Sequence, residues 1–410
     1  MSLNRRNLRD AHRIVVKLGT HVVTSDGVQL AVDRLQALVE SVVRLRAGGR
    51  EVVLVSSGAV GMGMQVLGLK DRPRSLGLRQ ACAAVGQGKL IGFYTQAFAA
   101  FGVTAAQVLL TQEDLGDRDR ALCLRTTLMR LLELGVVPVL NENDSVSVRE
   151  LVDHQRAQAS SQLSQESSSA SLLSGVAAPA PLFGEPVFGD NDGLSARVAV
   201  SLDADLLVLL TNVAGLFTAN PATDPAARRL GEIPVVDDAV MALASGGSAG
   251  GTGGMSSKLE AARLANDEGT AVLIASGAEP SILERALDGE DLGTLLTGTE
   301  HRGSRWRRIA VATRKRGALI VNDGALRALT AKKASLLPIG VLAVEGAFEK
   351  GDVVEIRDGS GRVHGRGLVN YPADACRKLV GRQSDEIEAI LGWHDYDAVI
   401  TRDNLVMGAI

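Results

Sequence analysis

Short apolar runs rich in β-branched residues recur through the first two thirds of the chain. They are Arg13–Leu18, Glu51–Val55, Val103–Leu110, Val136–Leu140, Leu206–Leu210 and Ala271–Ala275. Stretches with helical spacing separate them. Leu30, Leu35, Leu38, Val42 and Leu45 share one helix face, and Gly48-Gly49 ends that helix. Ala59–Leu67, Leu76–Ala100, Ala121–Leu134 and Met255–Asn266 also read as helices. The runs are apolar throughout, as strands buried on both faces are. Strands of that kind alternating with helices require a parallel sheet covered on both sides. The expected fold is α/β: a three-layer α/β/α sandwich with a mostly parallel central sheet.

A chain of 410 residues exceeds one ordinary core, so more than one domain is expected. The net charge of −3 is unevenly spread: residues 301–410 hold 18 Lys+Arg against 13 Asp+Glu. That excess marks a mildly basic C-terminal module on an acidic body, residues 1–300. Residues 301–317 read as a basic linker, with Arg302, Arg305, Arg307 and Arg308 around Trp306. Short strands follow at Ala318–Val321, Ser335–Leu337, Val353–Ile356 and Gly365–Val369, with Asp358-Gly359 as a hairpin signal. Residues 318–400 are therefore expected to form a small, β-rich domain. Within the main body, residues 150–187 interrupt the order. Eight serines lie between Ser160 and Ser174, followed by an Ala/Pro tract. Such a composition does not offset its ordering entropy. It reads as a mobile surface insertion, either plain or serving as a lid.

Several classes are excluded or made poor fits. Cys82, Cys123 and Cys376 show no CxxC spacing, which argues against a disulfide framework and a structural zinc. The six histidines form no HExxH pair, and no apolar run reaches membrane-span length. The polar N-terminus lacks the apolar region of a secretory signal. A cytoplasmic protein without a membrane anchor is expected.

Two Asp/Asn clusters stand out. Asp190-Asn191-Asp192 opens an apolar helix, and Asn141-Glu142-Asn143-Asp144 follows a strand. Ligands of open α/β sheets bind at that strand edge, so the two clusters are expected to face each other across one site. Lys17 lies at the C-terminal end of the first strand, shortly before Gly19, and either reaches a nucleotide phosphate or is a surface lysine. Ser245–Lys258 holds six glycines in fourteen residues and leads into a helix near Met255. It is either a phosphate cradle or a flexible loop. Lys258 falls in the first helical turn, where the helix dipole opposes a cation unless an anion is bound. No GK[ST] follows, so this is not a Walker A loop, and no GxGxxG follows a strand. Two lysines, a Gly-rich loop and two Asp/Asn clusters on a parallel sheet point to phosphoryl transfer.

These pieces resemble the glutamate 5-kinases of the amino acid kinase superfamily. VVKLGT (15–20), SSGAV (56–60), LLT (109–111), PVLNEND (138–144), FGDNDGLSA (188–196), LLTNVAGLFTANP (209–221) and GTGGMSSKL (251–259) occur in the family's order. The NEND and GDND pair separates this group from carbamate, aspartate and acetylglutamate kinases. The C-terminal part is similar to a PUA domain. The resemblance implies the amino acid kinase fold and ATP-dependent phosphorylation of the side-chain carboxylate of L-glutamate, the first step of proline synthesis. It implies Lys17, Lys258 and Asp192 as catalytic, with the two lysines on the phosphates. Ser57, Asp144 and Asn191 would bind glutamate. Lys17, Thr211, Asn212 and the loop of Thr252, Gly253, Gly254, Met255, Ser256, Ser257 and Lys258 would hold ATP, used with Mg²⁺. It further implies feedback inhibition by L-proline, glutamyl phosphate reductase as a pathway partner, and a homodimer or homotetramer. Departures from the family pattern are Asn212 in place of Asp, Cys123 in place of Asn, His21 in place of Ser, and the 150–187 insertion. The alternatives are another carboxylate or carbamate kinase of this fold, or an RNA-binding protein acting through the C-terminal module. The second is disfavoured by the module's few aromatics and small net charge.

Overall fold

The computed structural model describes residues 3–146 (apart from 26, 28, 72 and 74), 191–244 (apart from 222), 254–298, and 317–407 (apart from 332 and 333). The chain divides into two compact units, Met1–Glu300 and His301–Ile410.

The first unit is built on an eight-stranded sheet. Its strands are β1 (Arg13–Leu18), β2 (Glu51–Ser56), β3 (Ala105–Leu110), β4 (Val137–Glu142), β5 (Leu206–Thr211), β6 (Glu232–Ile233), β7 (Ala271–Ser276) and β8 (Thr294–Leu296), in the order β3-β4-β2-β1-β5-β7-β8-β6. All neighbours pair in parallel except β7 and β8. The helices are α1 (Thr20–Val23), α2 (Val32–Ala47), α3 (Ala59–Val66), α4 (Leu76–Ala99), α5 (Gln112–Gly116), α6 (Arg118–Glu133), α7 (Asn191–Ser201), α8 (Asp238–Ala242), α9 (Met255–Asp267) and α10 (Ile282–Leu287).

The period of two sorts strand side chains between two cores. Ile14, Val16 and Leu18 pack with Leu35 and Leu38 of α2 and with Leu90, Tyr94 and Phe98 of α4. Val15, Val53 and Val55 pack on the other face with Leu128 of α6, Ala196 and Val198 of α7, and Leu259 and Ala262 of α9. Each such buried Val or Leu contributes about 1.5–3 kcal/mol relative to exposure. Lys17 has the parity of Val15, so it leaves the sheet on the α7 and α9 side. Asn141 has the parity of Val137 and Val139, so it faces α4. Strand β4 runs on through Asn141 and Glu142 rather than ending at Leu140, because both pair with Leu109 and Leu110 of β3.

The second unit holds a five-stranded sheet of β9 (Gly317–Val321), β10 (Val341–Gly346), β11 (Val353–Arg357), β12 (Val363–Leu368) and β13 (Leu405–Met407), in the order β10-β9-β11-β12-β13. Among the described residues three short helices accompany it: α11 (Asp323–Ala331), α12 (Ala373–Leu379) and α13 (Ile387–Leu391). The hairpin from β11 to β12 turns where Asp358-Gly359 signals it. The Asp358 carboxylate accepts the backbone N–H groups of Ser360 and Arg362 at 2.9 and 3.1 Å. The expected strand Ser335–Leu337 does not form. Leu336 makes one isolated bridge with Ile400, and Pro338 then starts a 3-10 turn instead of extending a ladder.

Candidate active site

The C-terminal edge of the sheet collects the polar residues. Lys17 Nζ lies 2.6 Å from Asp192 Oδ1, and Lys258 Nζ lies 3.1 Å from Asp192 Oδ2. The Ser257 hydroxyl donates to the same Oδ2 at 3.0 Å. Asp192 is 0% exposed and each lysine 5%. Buried charges are tolerated only when paired. Among the described residues two cations here share one anion, an arrangement that suits an incoming polyanion. The first turn of α9 adds to this. Its N-cap Gly254 supplies no capping side chain, and the first N–H groups of a helix lack intrahelical acceptors. The anion that Lys258 requires against the helix dipole is Asp192, 66 residues away in sequence.

A second group adjoins the first, because Asn191 and Asp192 are consecutive in the first turn of α7. Asn191 Nδ2 lies 2.7 Å from the Ser56 carbonyl, 2.9 Å from Ser57 Oγ and 2.9 Å from Asn141 Oδ1. Asn141 Nδ2 in turn donates to Gln87 Oε1 of α4 at 2.7 Å. Ser57 reaches this point because Gly58 adopts φ +98°, a left-handed conformation that turns the chain from β2 into α3. The turn is anchored beneath by Ser56 Oγ, 3.0 Å from the Tyr94 hydroxyl, whose ionisation burial pushes up.

The two Asp/Asn clusters thus meet directly, through Asn191 and Asn141. Asp144 stands in the half-buried turn just beyond β4. Thr211 closes β5, buried, and its hydroxyl donates to Asn212 Oδ1 at 3.2 Å, with Asn212 exposed. Thr252, Gly253, Asp190, the 150–187 insertion and the 301–316 part of the linker lie outside the described residues. Sequence reasoning missed Gln87. The available signal was positional: Ala83, Gln87, Leu90 and Tyr94 lie on one helical row, and Gln87 is its polar member.

Comparison with known proteins fits this geometry. The Amino acid kinase family profile matches residues 12–276, and the PUA domain profile matches residues 317–391. The chain is 44% identical over 405 residues to the glutamate 5-kinase of Moorella thermoacetica, covering 98% of each chain. It is 43% identical over 409 residues to that of Myxococcus xanthus, covering 99% of each. The chain belongs to the glutamate 5-kinase family. It is also 41% identical over 406 residues to the glutamate 5-kinase of Methylococcus capsulatus, covering 98% of this chain and 99% of the other. The glutamate 5-kinase family resemblance drawn from short motifs therefore extends over nearly the whole length, the C-terminal module included. No helix among the described residues is long and apolar enough to cross a membrane.

Proposed function

We propose that this chain transfers the γ-phosphoryl group of ATP to the side-chain carboxylate of L-glutamate, giving L-glutamyl 5-phosphate and ADP. The observation that carries the reading is the convergence of Lys17 and Lys258 on Asp192, next to the Asn191 amide cluster. A glutamate carboxylate, with a pKa near about 4.3, is already ionised at neutral pH, so the nucleophile needs no general base. The obstacle is bringing two anions together, and the two lysines oppose it. Lys17 and Lys258 would hold the phosphate oxygens. Asp192 would keep both ammonium groups in place between turnovers. Thr211, Asn212 and the 252–258 loop would hold ATP, its phosphates at the start of α9.

At the amino-acid end, Asn191 Oδ1 is buried and makes no hydrogen bond among the described residues. A buried acceptor of this kind suits the α-ammonium of glutamate, with Asp144 supplying the opposite charge and Ser57 a hydroxyl. Mg²⁺ accompanies ATP in such chemistry. Among the described residues no group of three His, Cys, Asp or Glu side chains is set to hold a metal. Both oxygens of Asp192 face ammonium groups. These residues do not fit a resident metal, and we read Mg²⁺ as entering on the ATP phosphates.

L-Proline, which shares the α-carboxylate and ammonium of glutamate, would compete at the Asn191 end. A cytoplasmic homodimer or homotetramer handing its product to glutamyl phosphate reductase completes the reading. The names of the relatives favour glutamate over other carboxylates. The test is ADP release with ATP and Mg²⁺ across glutamate, aspartate, N-acetylglutamate and carbamate. Glutamate is expected to be turned over best; equal or better turnover of another acceptor overturns the substrate assignment.

A further inference from the structure

We propose that Gln87 is a positioning residue that sets the orientation of two successive side-chain amides, and through them the recognition of the substrate's ammonium group. The inference rests on glutamate binding at Asn191. A primary amide accepts at its oxygen and donates at its nitrogen, so fixing one end fixes the other. Gln87 Oε1 accepts from Asn141 Nδ2 at 2.7 Å. That contact turns Asn141 Oδ1 toward Asn191, whose Nδ2 lies 2.9 Å away. The Glu142 N–H also donates to Asn141 Oδ1 at 2.9 Å and favours the same orientation. Asn191 then has its nitrogen end committed to Asn141, the Ser56 carbonyl and Ser57 Oγ. Its Oδ1 points the other way, buried and without a hydrogen-bond partner among the described residues. An ammonium group has donors and no acceptor, so it is complementary to that atom in this orientation alone. With the amides reversed, Asn191 would present N–H donors to the ammonium, and recognition would become repulsion.

Gln87 reaches Asn141 because α4 lies directly on the backbone of α3. A Cβ built on Gly86 would meet the Ala59 carbonyl oxygen at 1.8 Å, and one on Gly63 would meet the Cys82 carbonyl oxygen at 1.8 Å. Side chains at either position would hold the helices apart. Ala59 begins α3 just after Ser57-Gly58, so the crossing at Gly86 fixes the neighbouring Gln87 against the same strand ends that carry the site.

The test is steady-state kinetics of the full chain with MgATP and glutamate, comparing Gln87→Glu, which keeps an acceptor, with Gln87→Met, which removes it. Gln87→Met is expected to raise the KM for glutamate about tenfold, the usual scale for one lost buried hydrogen bond. Its kcat and its KM for ATP should stay within about twofold, and Gln87→Glu should restore the KM for glutamate to within about threefold of wild type. Should Gln87→Met lower the melting transition, Gln87→Lys gives the same comparison, because it presents only donors and should match or exceed the defect. An unchanged KM in Gln87→Met, equal effects of Glu and Met, or parallel changes in kcat and the KM for ATP would overturn the inference. Wild-type turnover of glutamate in the same experiment separates that failure from failure of the substrate assignment.

Discussion

Replacing Asp192 by Asn keeps the shape of the side chain and removes a negative charge shared by two buried lysines. Asp192 Oδ1 is 2.6 Å from Lys17 Nζ, and Oδ2 is 3.1 Å from Lys258 Nζ. At an effective dielectric of about 20, these contacts contribute about 6 and about 5 kcal/mol of gross Coulomb attraction. Desolvation of three groups that are all at most 5% exposed offsets most of it. What the substitution reads out is the cost of leaving buried charges uncompensated, about 3–5 kcal/mol. Urea unfolding followed by far-UV circular dichroism measures this. With a slope of about 3 kcal/mol per M, the midpoint for the unit containing Asp192 should fall by about 1 M or more. ATP should restore part of that loss, since its phosphates supply the missing negative charge. A nucleotide at a hundred times its Kd adds about 2.7 kcal/mol on binding alone. An Asp192→Asn protein with the wild-type midpoint in the absence of nucleotide would rule out this role of Asp192. The lysines would then not depend on Asp192 for their burial.

Gly86→Ala and Gly88→Ala form a matched pair on α4. The first would place a Cβ 1.8 Å from the Ala59 carbonyl oxygen, and the second meets nothing within 4 Å. Thermal melts should show Gly86→Ala destabilised by about 1–3 kcal/mol, and Gly88→Ala stabilised by up to about 1 kcal/mol through helix propensity. Alkylation of the native protein at pH 8 should modify the exposed Cys123 and spare Cys376, whose thiol burial pushes up to about 12; rapid modification of Cys376 before unfolding would contradict its packing. The Asp114 carboxylate accepts the Thr111 backbone N–H at 2.7 Å, the first cause of its lowered pKa, with the Thr111 hydroxyl and Arg120 adding to it. A depressed carboxylate stabilises above its unfolded value and loses that contribution as pH falls through its folded value. The difference in melting temperature between wild type and Asp114→Asn should therefore be full at pH 6 and close as pH falls below about 4.

The long, strongly patterned elements were legible because burial on both faces imposes apolar runs that turn chemistry then brackets. Strands β6 and β8, two and three residues long, are too short to display a period. The C-terminal helices escaped for a related reason. Ala373–Leu379 and Ile387–Leu391 span two turns or fewer, so propensity says little and packing against the Leu319, Val354 and Ile356 core decides. In the site, Lys258 announced its need for an anion through its place in a first helical turn. That the anion is Asp192 follows only from the way α7 and α9 meet over β1, which no local pattern records. Gln87 is the same case: its place on a buried helical row marks it as unusual, but its partner Asn141 is 54 residues away and no local pattern names it.

We assign Lys17 and Lys258 to neutralising charge while the side-chain carboxylate of glutamate attacks ATP. Trapping the acyl phosphate with hydroxylamine tests it most directly, comparing wild type with Lys258→Met and Lys17→Met. Wild type should form γ-glutamyl hydroxamate in step with ADP, and each variant should lose at least about a hundredfold in rate, the scale of one lost charge-stabilising group. ADP formed with no hydroxamate from glutamate, or variants that trap as fast as wild type, would contradict that assignment.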